Sequence, residues 1–157
     1  MLKKYQQQTL AIELLNRHAK VKIVHQATGL PIKLLRQTYR QLHGRSPSRG
    51  SIKFSTRGLT RSRQNYMDAT LFAVCFQTAI AKSTDETIKI LIIAFDAYKK
   101  SYPLGRINFS DAWVIARDII DNKIALTHCP RCRSWVLLNS REDSSMEYCS
   151  ICRSYLN

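Results

Sequence analysis

Residues Cys129 to Cys152 constrain this chain more than any other stretch. They read Cys129-Pro-Arg-Cys132, then sixteen residues, then Cys149-Ser-Ile-Cys152. Two cysteines three apart turn both sulfurs toward one point, and a second such pair completes a tetrahedron of thiolates. Paired C-x-x-C knuckles at this spacing are a zinc signature, and zinc accepts four thiolates with no geometric preference of its own. Cys129, Cys132, Cys149 and Cys152 are therefore the expected ligands of a structural Zn2+. Four protein ligands leave no open position, which argues against a catalytic metal. Iron fits the same four sulfurs by ligand type. A disulfide framework is disfavoured, because Met1-Leu-Lys-Lys-Tyr-Gln-Gln-Gln lacks the apolar core of a secretory signal. A thioredoxin-like redox pair is disfavoured too, since neither knuckle opens a helix after a buried strand. Cys75 lies apart from the four and is expected to be an ordinary buried side chain.

The chain has 157 residues, of which 45% are hydrophobic, so it is no disordered tail. That length suits one medium domain, or a small domain plus a metal module. No apolar run reaches the ~18–20 residues of a membrane span. The expectation is a cytoplasmic protein with reduced, metal-bound cysteines.

Charge is distributed unevenly. Residues 1–67 hold fourteen basic and one acidic residue, a net +13, whereas residues 68–157 hold eleven and ten, a net +1. Between Glu13 and Asp68 there is no acidic residue and there are twelve basic ones. Such a block needs a polyanion or a solvent shell, and nucleic acid is the usual partner. An acidic protein or a membrane surface are the competing partners.

Residues 5–19 read as an amphipathic helix on Leu10, Ala11, Leu14 and Leu15. A second helix covers 20–28 on Val21, Ile23 and Val24, and Gly29 breaks it. Pro31 suits the first turn of a third helix over 31–43, with Leu34, Leu35 and Leu42 facing inward. Helix, short glycine turn, helix is the pattern of a helix-turn-helix DNA reader. The second helix of that pair would carry Lys33, Arg36 and Arg40 on one outward face with Gln37 and Gln41. Arginine and lysine bond guanine edges or phosphates, and glutamine pairs with adenine. The small residue usual four positions before the turn glycine is here His25. A plain helical hairpin with a solvated basic face is the competing reading.

Residues 44–63 are a loop by their Gly, Pro and Ser content, with six basic residues: Arg45, Arg49, Lys53, Arg57, Arg61 and Arg63. Such a loop suits phosphate contacts, which position without carrying sequence information. Phe54 and Leu59 are expected to pin it to the core. Residues 65–82 are apolar on nearly every side and predict a buried helix. Ser83-Thr-Asp-Glu86 is a capping-box sequence opening a helix on Ile88, Leu91, Ile92, Phe95 and Tyr98. A last helix over 110–122, capped by Ser110, presents Ala112, Trp113, Ala116, Ile119 and Ile120 on one face. The apolar supply is generous for the length and hints at an obligate partner.

After Lys123, short β-like pieces at Ile124–His128, Ser134–Leu138 and Met146–Cys149 surround a polar turn at Asn139–Ser145. This is a small zinc-ribbon-like module whose folding energy the metal would supply. His128, Arg131, Arg133 and Arg153 flank the knuckles, to offset thiolate charge or to touch phosphate. The expected fold is mainly α: a helical DNA-binding and partner-binding domain over 1–122 and a four-cysteine zinc module over 123–157. The DNA-binding candidates are Lys33, Arg36, Gln37, Arg40, Arg45, Arg49, Lys53, Arg57, Arg61 and Arg63. There is no P-loop, no Rossmann glycine pattern and no H-E-x-x-H, so an enzyme is not expected.

Several local segments together resemble one family. They are the hairpin ending Tyr39-Arg-Gln-Leu-His-Gly44, Ser46-Pro47, Phe54-Ser-Thr56, the apolar helix Met67–Phe76, the Ala94–Tyr98 segment, Ala112-Trp113 and the four cysteines. In this order they resemble FlhC, the zinc-containing subunit of the bacterial flagellar master regulator. The resemblance implies a transcription activator acting with a small helical partner, FlhD, in a heterohexamer of four D and two C subunits. It implies binding at flagellar promoters, help in recruiting RNA polymerase, and zinc on Cys129, Cys132, Cys149 and Cys152. Family members usually carry a further tail beyond the last knuckle, and this sequence stops at Asn157. Related activators of conjugative-transfer genes on mobile elements are an alternative grouping.

Overall fold

A computed structural model describes residues 1–139, 148, 149 and 151–156. It is mainly helical and forms two compact units, Met1–Ile52 with Asn108–Ser110, and Lys53–Ile107 with Asp111–Asn157.

In the first unit, α1 (Leu2–Asn16), α2 (Val21–Thr28) and α3 (Ile32–His43) each pack against the other two. The core is aliphatic: Leu14, Leu15, Ile23, Val24 and Leu35 are buried, with Tyr39 beside them. α1 starts and ends three residues earlier than periodicity predicted, whereas α2 and α3 end where the glycines stand. Gly29 sits at φ 70°, a left-handed conformation that closes α2 and that a side chain would oppose. The Thr28 hydroxyl donates to the Val24 carbonyl (2.7 Å) and accepts the Leu30 N–H (3.3 Å), locking the turn. His25 also has a task here. Its Nδ1 donates to the Leu30 carbonyl at 2.8 Å, so the large residue braces the turn from outside instead of filling its inside. Pro31 stands just before the first helical residue, one step earlier than expected.

The inward face of α3 differs from the predicted leucine stripe. Leu35 and Tyr39 are buried, but Leu34 and Leu42 are 41% and 39% exposed. A three-helix unit of this size covers one stripe of α3, the i, i+4 pair Leu35 and Tyr39, and the adjacent stripe stays outside. At the end of α3, His43 Nε2 donates to the Leu15 carbonyl (2.9 Å) and Tyr39 bonds His18 Nδ1 (3.0 Å). Burial, then the neighbouring His43 and Arg45, hold the His18 pKa below its ordinary value. Ser110 was expected to cap the last helix; its hydroxyl instead accepts the Lys20 N–H at 3.1 Å.

In the second unit, α4 (Arg63–Lys82) packs along α5 (Thr87–Ser101) and touches the small sheet. α4 is less uniformly buried than predicted. Ala69, Phe72, Ala73 and Phe76 form its inner face, while Met67 and Ile80 are exposed and Cys75 is half-buried. Burial pushes the Cys75 thiol pKa up. α5 begins at Thr87 without a side-chain cap; Ser83 closes a small turn upstream by accepting the Asp85 N–H at 3.2 Å. α6 (Phe109–Ile120) buries Ala112, Val114, Ile115 and Ala116. Trp113 is only half-buried and Ile120 is exposed, so its inner face is rotated from the predicted one. β1 (Ile124–His128) and β2 (Trp135–Asn139) pair antiparallel, Ile124 opposite Asn139. The expected turn at Asn139–Ser145 and piece at Met146–Cys149 fall largely outside the described residues.

Close packing around Tyr98 gives a direct test of this unit. Tyr98 is fully buried, and burial above all pushes its phenol up to about 12. A Cβ on Gly105 would run into the Tyr98 hydroxyl. Gly105→Ala is expected to lower stability by about 1–3 kcal/mol, the range for overpacking, measured as a shift in urea midpoint. An unchanged midpoint would mean that the 102–106 turn moves aside freely.

Candidate metal centre and basic surfaces

β1 and β2 deliver the first knuckle between them. Cys129 follows the last residue of β1, and Cys132 lies three residues before β2. The backbone repeats itself in the two knuckles. Cys129 N–H donates to the Ser134 carbonyl (2.9 Å) and Arg133 N–H to the Cys129 carbonyl (2.9 Å). Cys149 N–H donates to the Ser154 carbonyl (2.8 Å) and Arg153 N–H to the Cys149 carbonyl (2.9 Å). Arg133 and Arg153 both adopt φ 58°, a left-handed backbone that costs a residue with a Cβ about 1 kcal/mol.

The four sulfurs converge, all within 4.8 Å of one another. Cys129 to Cys152 and Cys132 to Cys149 are each 3.6 Å apart. A tetrahedron of thiolates at zinc–sulfur distances of about 2.3 Å has edges of about 3.8 Å, whereas a disulfide requires about 2.05 Å. Geometry and donor set therefore fit a metal ion such as zinc. Local hydrogen bonds favour the thiolate at two of the four, Cys129 and Cys152. The Cys132 N–H lies 3.5 Å from the Cys129 sulfur, and this bond, more than any other cause, lowers the Cys129 pKa. The Ser154 hydroxyl lowers that of Cys152. Burial raises that of Cys149, a penalty that a bound cation relieves by stabilising the thiolate. The knuckles enclose almost no core: Cys129, Val136 and Cys149 are buried, with Leu138 and Leu156 packed on them. Tyr66 of α4 ties this ribbon down. Its hydroxyl accepts the Leu137 N–H (2.7 Å) and donates to the Leu137 carbonyl (3.0 Å).

The basic residues singled out in the sequence fall in both units. In the first, Lys33, Arg36, Gln37 and Arg40 form one exposed face of α3. Arg36, Arg40 and Arg49 line a cleft of about 570 Å³ together with Lys20 and Lys22. Lys20 and Lys22 were not among the candidates. Their place in the charge block was visible, but not the return of the 46–51 segment toward them. Lys20 Nζ donates to the Ser51 carbonyl at 2.6 Å and shapes that segment. Arg45 is exposed just beyond α3. This unit holds ten basic residues and one acidic, Glu13.

Lys53, Arg57, Arg61 and Arg63 belong to the second unit. Lys53 pairs with Asp111 at 3.3 Å, which reduces its availability to a ligand. The 54–59 segment is held in an unexpected way. Leu59 is buried as predicted, but Phe54 is 94% exposed. Thr56 takes the anchoring role: its N–H and its hydroxyl both donate to Asp118 Oδ2 at 2.8 Å. Arg117 bonds Asp118 Oδ1 (2.9 Å) and the Phe54 carbonyl (2.6 Å). No sequence signal marked this pair, because residues 62 apart meet only through the fold. Among the described residues, no helix is long and apolar enough to cross a membrane.

A mainly helical chain with a basic helix-turn-helix-like hairpin and a four-cysteine ribbon defines a class of basic helical proteins with a cluster of cysteines able to hold a metal ion. Comparison with known families narrows that class. The model of the flagellar transcriptional activator FlhC matches residues 1–155, and the chain belongs to this family. Similar proteins include the flagellar transcriptional regulator FlhC of Cupriavidus necator, 22% identical over 97% of this chain and 76% of the relative. That of Proteus mirabilis is 22% identical over 92% of this chain and 77% of its own length. That of Variovorax paradoxus is 25% identical over 92% and 73%.

Proposed function

We propose that this chain is the DNA-binding subunit of a transcription activator that acts with an FlhD-like partner at flagellar promoters, as a heterohexamer of four D and two C subunits. Zn2+ on Cys129, Cys132, Cys149 and Cys152 is its structural cofactor, RNA polymerase is the machinery it helps recruit, and the chain acts in the cytoplasm. The observation that carries the reading is the outward face of α3. Lys33, Arg36, Gln37 and Arg40 are all exposed there, in a unit with a single acidic residue. Arg45 and Arg49 of the first unit and Lys53, Arg57, Arg61 and Arg63 of the second serve as phosphate contacts.

Arg36→Ala and Arg40→Ala test it. Each is expected to weaken promoter binding by about 1–3 kcal/mol, the worth of a good arginine contact. Far-UV circular dichroism and the melting temperature should stay unchanged, since both side chains are exposed. Fluorescence anisotropy on promoter and scrambled duplexes, with the D subunit present, is the measurement. Wild-type affinity in both variants would remove the α3 assignment. Equal affinity of the wild type for both duplexes would remove the promoter assignment.

A further inference from the structure

The two knuckles repeat one pattern over eight residues: aromatic, Cys, two residues, Cys, Arg, Ser, aromatic. It runs from His128 to Trp135 and again from Tyr148 to Tyr155. In each copy the flanking rings lie against one another, His128 with Trp135 at 3.7 Å and Tyr148 with Tyr155 at 4.4 Å between centroids. In each copy the arginine occupies the left-handed position, φ 58°.

That position is where glycine is at ease and a side chain is not. Closing the turn needs only the backbone, through the N–H of residues 133 and 153. An arginine therefore adds strain to the turn and nothing to its hydrogen bonding. What it adds is an exposed guanidinium, twice, at equivalent places. A backbone outlier of this kind points toward use of the side chain. The surroundings indicate the use. Arg153 lines a groove of about 580 Å³ with Arg61, Arg63, Tyr66 and Tyr148. Arg133 borders a smaller recess beside His128 and Pro130. Among the described residues, no acidic side chain lines either one. Three guanidiniums around an open groove suit phosphodiester oxygens, which arginine bonds in forked, charge-assisted pairs.

We infer that the ribbon is a second nucleic-acid contact, distinct from α3, in which Arg133 and Arg153 grip backbone phosphates and Arg61 and Arg63 extend the Arg153 grip. This rests on the reading of the chain as a DNA-binding subunit. It assigns the ribbon a positioning contact and not a base-reading one, because phosphate contacts carry no sequence information.

The test is the double variant R133G/R153G in the full zinc-loaded chain with its D subunit. Glycine relieves the strained backbone, so the melting temperature should hold or rise and the zinc content should stay the same. Affinity for DNA should fall about ten-fold or more near physiological salt, equally on promoter and scrambled duplexes. The slope of log K against log salt should become shallower by about 2, one contact for each arginine. Unchanged affinity and slope, with Arg36→Ala still weakening binding, would overturn the ribbon contact and leave the α3 reading standing. If neither variant weakens binding, both fall. Loss of zinc from the glycine variant would overturn the inference in favour of thiolate charge balance.

Discussion

Stripping the metal from the full chain with a strong chelator is expected to unfold the ribbon while leaving the helices in place. Structural zinc in small thiolate modules contributes an apparent ~10–16 kcal/mol near neutral pH. The ribbon has little else to draw on: among the described residues it buries Ile124, Cys129, Val136, Leu137 and Cys149, and two of those are the candidate metal ligands. Burying Ile124, Val136 and Leu137 is worth only about 1.5–3 kcal/mol each, far below the cost of ordering some thirty residues. Cys149→Ala should have the same consequence without a chelator. It removes the more deeply seated ligand of the second knuckle and leaves three thiolates for a four-coordinate ion. The readout is the near-ultraviolet signal of Trp135 and Tyr148, whose stacking partners His128 and Tyr155 belong to the knuckles. It should collapse, while far-ultraviolet helix content changes little. Dispersed amide resonances for residues 124–139 in excess chelator would show that the β1–β2 hairpin stands without metal.

The loss should also reach α4 through one residue. Tyr66 bonds both the N–H and the carbonyl of Leu137. When β2 unfolds, the half-buried phenol loses both of these bonds, and breaking them at such a site costs about 1–3 kcal/mol. The helical part of this unit should therefore melt somewhat earlier in the metal-free chain.

What was legible in the sequence is local, and what was missed is long-range. Gly29 and Gly44 end α2 and α3 because a left-handed turn is a property of a few adjacent atoms. The cysteine spacing works likewise: two thiols three apart converge whatever surrounds them. The basic face of α3 follows from helical geometry, since positions 33, 36, 37 and 40 are adjacent on any helix. Which leucines face inward depended on what lies opposite. Leu34 and Leu35 are equal in propensity, and only packing by α1 and α2 distinguishes them. Phe54 and Thr56 reverse the usual ranking, with the aromatic ring in solvent and the hydroxyl buried. The reason is a carboxylate 62 residues away, which no periodicity announces. The cleft formed by Lys20, Lys22 and Arg49 was hidden in the same way. Charge counting found the block but not the fold of the 46–51 segment that shapes it.

That distant carboxylate sets the second large effect. Asp118→Ala is expected to destabilise the second unit by about 3–5 kcal/mol, the cost of removing a buried carboxylate shared by two buried Thr56 donors and the part-exposed Arg117 guanidinium. Asp118 is 1% exposed and receives four bonds: two from Thr56 at 2.8 Å and two from Arg117 at 2.9 and 3.1 Å. Removing the carboxylate leaves the Thr56 N–H and hydroxyl without an acceptor in a buried site. It also leaves Arg117, which still reaches the Phe54 carbonyl and lies over the Trp113 ring, with an unbalanced charge. Thr56→Val isolates one part of this. It keeps the shape and the backbone bond but deletes the hydroxyl, and should cost only about 1–2 kcal/mol. Because the 53–59 segment carries Lys53 and Arg57, its release should be felt by a polyanion as well. Amide exchange at Thr56 should rise toward unprotected rates in Asp118→Ala, and the salt slope of DNA binding should become shallower as those cations lose their fixed places. Thr56→Val gives a folded chain in which to read that slope if Asp118→Ala does not fold. A Thr56 amide that stays protected in Asp118→Ala would mean that Leu59 and the surrounding backbone hold the segment without the carboxylate.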